Sequence, residues 1–124
     1  MNNTSKIQAI KAQGFQVKIV HWRPVAVKHG YGTLNKTVAI AKRGIDKFRE
    51  VRETLLAEYE KLEATDVKLL PKGGETVIAL IKDGKTCVAA VSACSKSEYY
   101  NRRAQVERTL AKLAVKAAVC GIAI

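Results

Sequence analysis

The stretch Thr76-Val77-Ile78-Ala79-Leu80-Ile81-Lys82, then Asp83-Gly84, then Lys85-Thr86-Cys87-Val88-Ala89-Ala90-Val91-Ser92 decides the fold class. Asp83-Gly84 suits a type I′ turn, because both positions tolerate positive φ. The flanking runs therefore read as a β-hairpin over 76–82 and 85–92. With a two-residue turn, Leu80 is expected to face Cys87, and Ala79 to face Val88. One face then carries Ile78, Leu80, Cys87, Ala89 and Val91, and the other Val77, Ala79, Ile81, Val88 and Ala90. Neither face is polar, and an antiparallel pair apolar on both sides needs cover on both sides. One helix can supply one cover. The other must come from the remaining helix or from another subunit, so a homodimer or higher homo-oligomer is expected.

Downstream, Ser95-Lys96-Ser97-Glu98 fits a capping box, with Ser95 as N-cap and Glu98 reaching back. A long helix is expected over about 96–119. Val106, Leu110, Leu113 and Ala117 form its inner stripe, and Arg108, Lys112 and Lys116 a basic outer one. Upstream, Ile45, Phe48, Val51, Leu55, Tyr59 and Leu62 recur at three- and four-residue steps, with no Gly or Pro before Glu63. That predicts a helix over about 45–63, roughly five turns at about 3.6 residues each. Nearer the start, residues 4–12 read as a short helix ending at Gly14 and residues 15–20 as a strand. Arg23-Pro24 is expected to interrupt it, with Val25 to Lys28 returning as a partner strand. Gly30 and Gly32 mark a turn around Tyr31, and residues 37–41 favour a third strand. The whole reads as one α+β domain, 1–124, with an antiparallel sheet and two long helices.

Twenty-two lysines and arginines against eleven carboxylates leave a formal net charge of +11. A short chain this basic points to anionic partners: nucleotides, nucleic acid or an acidic protein surface. Cys87, Cys94 and Cys120 are odd in number and match no disulfide or zinc spacing, and each sits among apolar or small residues. They read as small hydrophobes in a reducing, cytoplasmic setting. Met1 is followed by polar Asn2-Asn3-Thr4-Ser5, and the apolar tail 113–124 is too short to span a bilayer, so no membrane partner is expected. His21 and His29 share no metal-ligand spacing with a cysteine or carboxylate, and no nucleophile–base pair is credible by spacing. No catalytic residue, metal or cofactor is therefore expected.

The junction at Ser92–Arg103 is the most informative place for function. A helix N-terminus offers unpaired amides and partial positive charge. Here Ser95 and Ser97 add hydroxyls, Tyr99 and Tyr100 stacking surfaces, Asn101 a two-way amide, and Arg102 and Arg103 bidentate phosphate donors. A nucleotide needs this mixture. The same residues also read as an ordinary capped helix with a solvated first turn. Lys72-Gly73-Gly74 reads either as a backbone approach to phosphate or as a flexible lead into the hairpin. The stripe of Arg108, Lys112 and Lys116 is a phosphate track or the wet side of a helix. His21-Trp22-Arg23 is either a stacking group or an aromatic anchor at a strand end.

Gly73-Gly74-Glu75-Thr76, the turn Asp83-Gly84-Lys85, and the run from Val88 through Ser95-Lys96-Ser97-Glu98-Tyr99-Tyr100-Asn101-Arg102-Arg103 carry a resemblance. Over residues 73–108 the chain is similar to the phage anti-Thoeris cyclic-ADP-ribose sponges. That resemblance implies a non-enzymatic protein of the host bacterial cytoplasm. It would act as a dimer or larger assembly and sequester a small cyclic nucleotide signal, either cyclic ADP-ribose or a cyclic oligonucleotide. Tyr99, Tyr100 and Asn101 would then contact base or ribose, and Arg102, Arg103 and Arg108 the phosphates, with Ser95 nearby. The charge leaves two other readings open: a nucleic-acid-binding protein, and a phage inhibitor of an acidic host protein.

Overall fold

The computed structural model describes residues 2–40 and 45–124, and the side chains of residues 45–47 are not among those described. The elements run α1 (Asn3–Lys11), β1 (Gln16–His29), β2 (Gly32–Ile40), α2 (Ile45–Glu58), a 3₁₀ turn (Glu60–Leu62), β3 (Asp66–Leu69), β4 (Lys72–Lys82), β5 (Lys85–Tyr99) and α3 (Arg102–Val119). All strand pairs are antiparallel in one sheet of order β2-β1-β4-β5, with β3 also on β1. The α+β architecture read from the hairpin and the helix stripes is present. The end of the third strand, expected at Ala41, lies outside the described residues.

β1 is the spine, and it corrects the expectation that Arg23-Pro24 breaks the strand. One edge of β1 pairs with β2 from His21 to His29. The other pairs with β4 over Gln16–Trp22, then with β3 over Val25–Lys28. Pro24 falls in the gap between β4 and β3. Its carbonyl accepts the Leu70 amide at 3.0 Å, on the side where its own N–H would point. The donor that Pro24 lacks is replaced at the Leu70 carbonyl, which accepts from the Arg23 guanidinium at 3.0 Å.

The hairpin forms as read, with Asp83 at φ 53° and Gly84 at φ 74°. Its register differs. Leu80 pairs with Val88 and Ile81 with Thr86, so Cys87 is the extra residue of a β-bulge. The bulge reverses the alternation expected for β5. Val88 and Ala90 join Ile78 and Leu80 in the core, while Cys87 and Val91 are exposed. A larger side chain is buried in place of the cysteine. Of the three cysteines only Cys94 is buried, so the reading of all three as small hydrophobes holds for it alone.

α2 ends at Glu58, before the expected Glu63, because the chain tightens into the 3₁₀ turn and then takes a left-handed residue, Glu63 at φ 60°. The turn's last carbonyl, on Leu62, accepts from Gly30 at 2.9 Å, and the chain leaves toward β3. α3 begins at Arg102, not at 96. Ser95 to Tyr99 remain in β5, and Ser95 bonds locally to Ser97 instead of capping. The N-cap is Asn101, whose side chain accepts the Ala104 amide at 3.0 Å. At the far end Gly121 (φ 78°) and Ile122 close a Schellman motif on Ala118 and Ala117, and Ile122 folds back onto the core.

Two apolar clusters share one face of β1. The first joins Val17 and Ile19 to Ile78, Leu80, Val88 and Ala90 under α1 and under Val106, Leu110, Leu113 and Ala117 of α3. The second joins Val25 and Val27 to Val67 of β3 and Leu55 of α2. Between them runs a polar row across three strands, His21–Thr76–Ser92, at most 2% exposed. The opposite sheet face has no described helix over it. There Val91 is 45% and Trp22 39% exposed, so the second cover anticipated for the hairpin is not supplied by any described element. Lys112 and Lys116 donate to the Val91 and Ala89 carbonyls, at 3.3 and 3.1 Å, along the outer edge of β5. No described helix is long and apolar enough to cross a membrane.

Candidate functional site

The polar row opens toward the first turns of α1 and α3. His21 Nδ1 lies 2.8 Å from Thr76 Oγ1 and 2.5 Å from the Tyr100 hydroxyl, and those two oxygens also hydrogen-bond to each other. The Arg23 guanidinium stacks 4.1 Å from the Tyr100 ring centroid and donates to the Leu70 carbonyl at 3.0 Å. Burial raises the Tyr100 phenol above its ordinary range, so it remains a neutral hydroxyl at physiological pH. Burial also lowers the Arg23 pKa, with the nearby Tyr100 acting the other way.

Above His21 is a cleft of about 460 Å³. Asn2, the N-cap of α1, with Asn3 and Thr4 lines one side and Arg102 and Arg103 of α3 the other, with Ile7, Ile19 and Val106 between them. The Asn3 amide donates to the Arg103 carbonyl at 3.1 Å and ties the two helix starts together. Both helices begin at a side-chain cap, Asn2 or Asn101, and neither has an acidic residue in its first turn. No carboxylate is among the described residues lining the cleft. Two helix N-termini and two arginines therefore border one recess, a combination of the kind that can hold phosphate. Its volume falls within the range of small-molecule sites.

The residues singled out in the sequence are distributed among several places. Arg102 and Arg103 line the cleft. Tyr100 turns inward to His21 and is no free stacking surface. Tyr99 is 71% exposed, with the Lys72 amine 4.9 Å from its ring centroid. Ser95 is exposed in β5, and Arg108 is exposed along α3. Asn101 spends its side-chain oxygen on the helix cap. The basic stripe is partly structural, since Lys112 and Lys116 hold the edge of β5. The facing rim, Asn2 to Thr4, was missed because it lies about a hundred residues upstream in sequence, and His21, noted only as part of the His21-Trp22-Arg23 group, was not linked to it. The one available signal was Asn2-Asn3-Thr4, three cap-type residues ahead of a helix. Among the described residues no group of His, Cys, Asp and Glu side chains is placed to hold a metal ion.

The capping role gives a direct expectation. Asn101→Ala should lower stability by about 1 kcal/mol. Asn101→Asp should retain the cap, because aspartate accepts the Ala104 amide equally well. Urea unfolding of the two variants checks this. Equal loss in both would mean that the amide nitrogen matters and the cap does not.

No protein-family model, curated protein or solved structure matches this chain.

Proposed function

We propose that this chain is a non-enzymatic binding protein that sequesters a small phosphate-bearing ligand in the cleft between α1 and α3. The observation that carries the reading is the convergence of Arg102, Arg103 and two helix N-termini with no acidic residue in their first turns on a recess lined by no described carboxylate. Phosphate is bound there by the arginines and the first-turn amides, while Ile7, Ile19 and Val106 offer an apolar wall to the rest of the ligand. The likeness of residues 73–108 to phage sponges adds cyclic ADP-ribose and cyclic oligonucleotides as the ligand class, in a host bacterial cytoplasm. Nucleic acid tracked by Arg108, Lys112 and Lys116 draws less support, because the two lysines already hold β5 carbonyls.

The test is mass spectrometry of small molecules released when the purified protein is denatured, beside a gel-shift assay with DNA and RNA. A phosphorylated small molecule in the released fraction is the expected result. A clean gel shift with an empty small-molecule fraction, and no calorimetric response to cyclic nucleotides, overturns the reading.

A further inference from the structure

Away from the α1–α3 cleft lies a larger groove of about 870 Å³. It forms where β2, the segment from Leu70 to Gly74, and the end of β5 meet. In β5, Ser95, Lys96, Ser97 and Glu98 stand opposite Gly73 alone, a wide bulge that carries Lys96 onto the rim. Gly73 permits this with φ +82° and lies close to both Pro24 and the Lys96 backbone.

Trp22 forms one wall. It sits on the sheet face that no described helix covers, 39% exposed, and its side chain makes no hydrogen bond or ring contact among the described residues. Its cross-strand neighbours are Ala39 on one side and Glu75 on the other, and Glu75 pairs onward with Ala93, so on the β2 side only a methyl group stands beside the indole. Pro24, Leu70 and Pro71 continue the apolar surface, while Lys72 and Lys96 flank it. Glu75 is the single carboxylate among the described lining residues. Lys36 also borders the groove, but its amine is held 2.7 Å from Glu58 and is not counted here.

We infer that this groove binds a nucleoside phosphate, with the base stacked on Trp22 and the phosphate held by Lys72 and Lys96. A partly exposed indole in a groove bordered by Lys72, whose amine lies over the Tyr99 ring, and by Lys96 matches a ligand that is planar and aromatic at one end and anionic at the other. An inorganic anion would leave the indole unused, and a neutral apolar ligand would strand the lysines. The site is independent of the proposed cleft, which has no tryptophan, tyrosine or phenylalanine among its described lining residues. The nucleotide can be free or part of a single strand, and one set of titrations separates the two sources.

Trp22 is the only tryptophan in the chain, so its emission reports this groove directly. The full chain is titrated with AMP, with a short oligo-deoxyadenylate, and with ribose 5-phosphate as a base-free control. Saturable quenching by AMP is expected if the free nucleotide suffices. Quenching by the oligonucleotide alone assigns the groove to single strands. Ribose 5-phosphate should not quench. Lys96→Glu, at an exposed position, should weaken binding about tenfold, the loss of one charge-assisted contact. The double variant Arg102→Ala, Arg103→Ala should quench normally. Absence of quenching by both nucleotide probes overturns the inference. So does equal quenching by ribose 5-phosphate, an unchanged affinity in Lys96→Glu, or loss of the response in the double arginine variant.

Discussion

Gly74→Ala should destabilise the protein by about 3 kcal/mol or more, combining backbone strain with overpacking. Gly74 has φ +121°, a region that L side chains rarely adopt. A Cβ there would lie 2.7 Å from the Trp22 carbonyl oxygen and 3.0 and 3.1 Å from the edge of the Tyr100 ring. The carbonyl belongs to the β1 spine and cannot retreat. Tyr100 is held by His21, Thr76 and the Arg23 stack, so its movement would break the polar row. Gly84→Ala is the matched control. Its φ is also positive, at +74°, but no atom of a described residue lies within 4 Å of a new Cβ. It should cost only about 1–2 kcal/mol. Urea unfolding of both variants measures the difference. Equal midpoints would mean that the close approach at Gly74 is relieved without cost.

Replacing both Arg102 and Arg103 with alanine should weaken binding of a cyclic nucleotide by at least about a hundredfold, since each charge-assisted hydrogen bond is worth about 1.5–3 kcal/mol. The fold should survive, because alanine is the best helix former and the N-cap at Asn101 is untouched. Calorimetric titration with cyclic ADP-ribose isomers and cyclic dinucleotides is the measurement. Salt dependence separates the rival: a pocket ligand touches few charges, whereas a polymer would lose affinity steeply as salt rises. If the double variant binds with unchanged affinity, the cleft is not the phosphate site.

The parts of the fold legible in sequence are those where one local rule acts alone. Asp83-Gly84 determines a hairpin whatever surrounds it. The spacing of Val106, Leu110, Leu113 and Ala117 determines a buried helical stripe, and all four are buried. Illegible parts are those where two rules compete. With both hairpin faces apolar, alternation held no information about register, and the bulge at Cys87 could not be anticipated. Ser95 and Asn101 are both good caps. The strand-forming tyrosines between them kept the chain extended until the second. Pro24 reads as a breaker until the partner strands are known to part at that residue. The candidate site follows the same pattern. Arg102 and Arg103 were visible beside a helix start, but the facing rim on α1 is joined to them only by tertiary structure.

The lysine contacts along β5 bear on how concentrated the protein can become. A β-strand edge is a template on which another chain can add, and repeated addition builds filaments. On β5 an incoming strand would have to strip the Lys112 and Lys116 amines from the Val91 and Ala89 carbonyls. Two copies meeting edge to edge would also press four ammonium groups together. Part of the chain's large positive charge thereby acts as colloidal protection, keeping a long and largely apolar outer strand from recruiting its own kind.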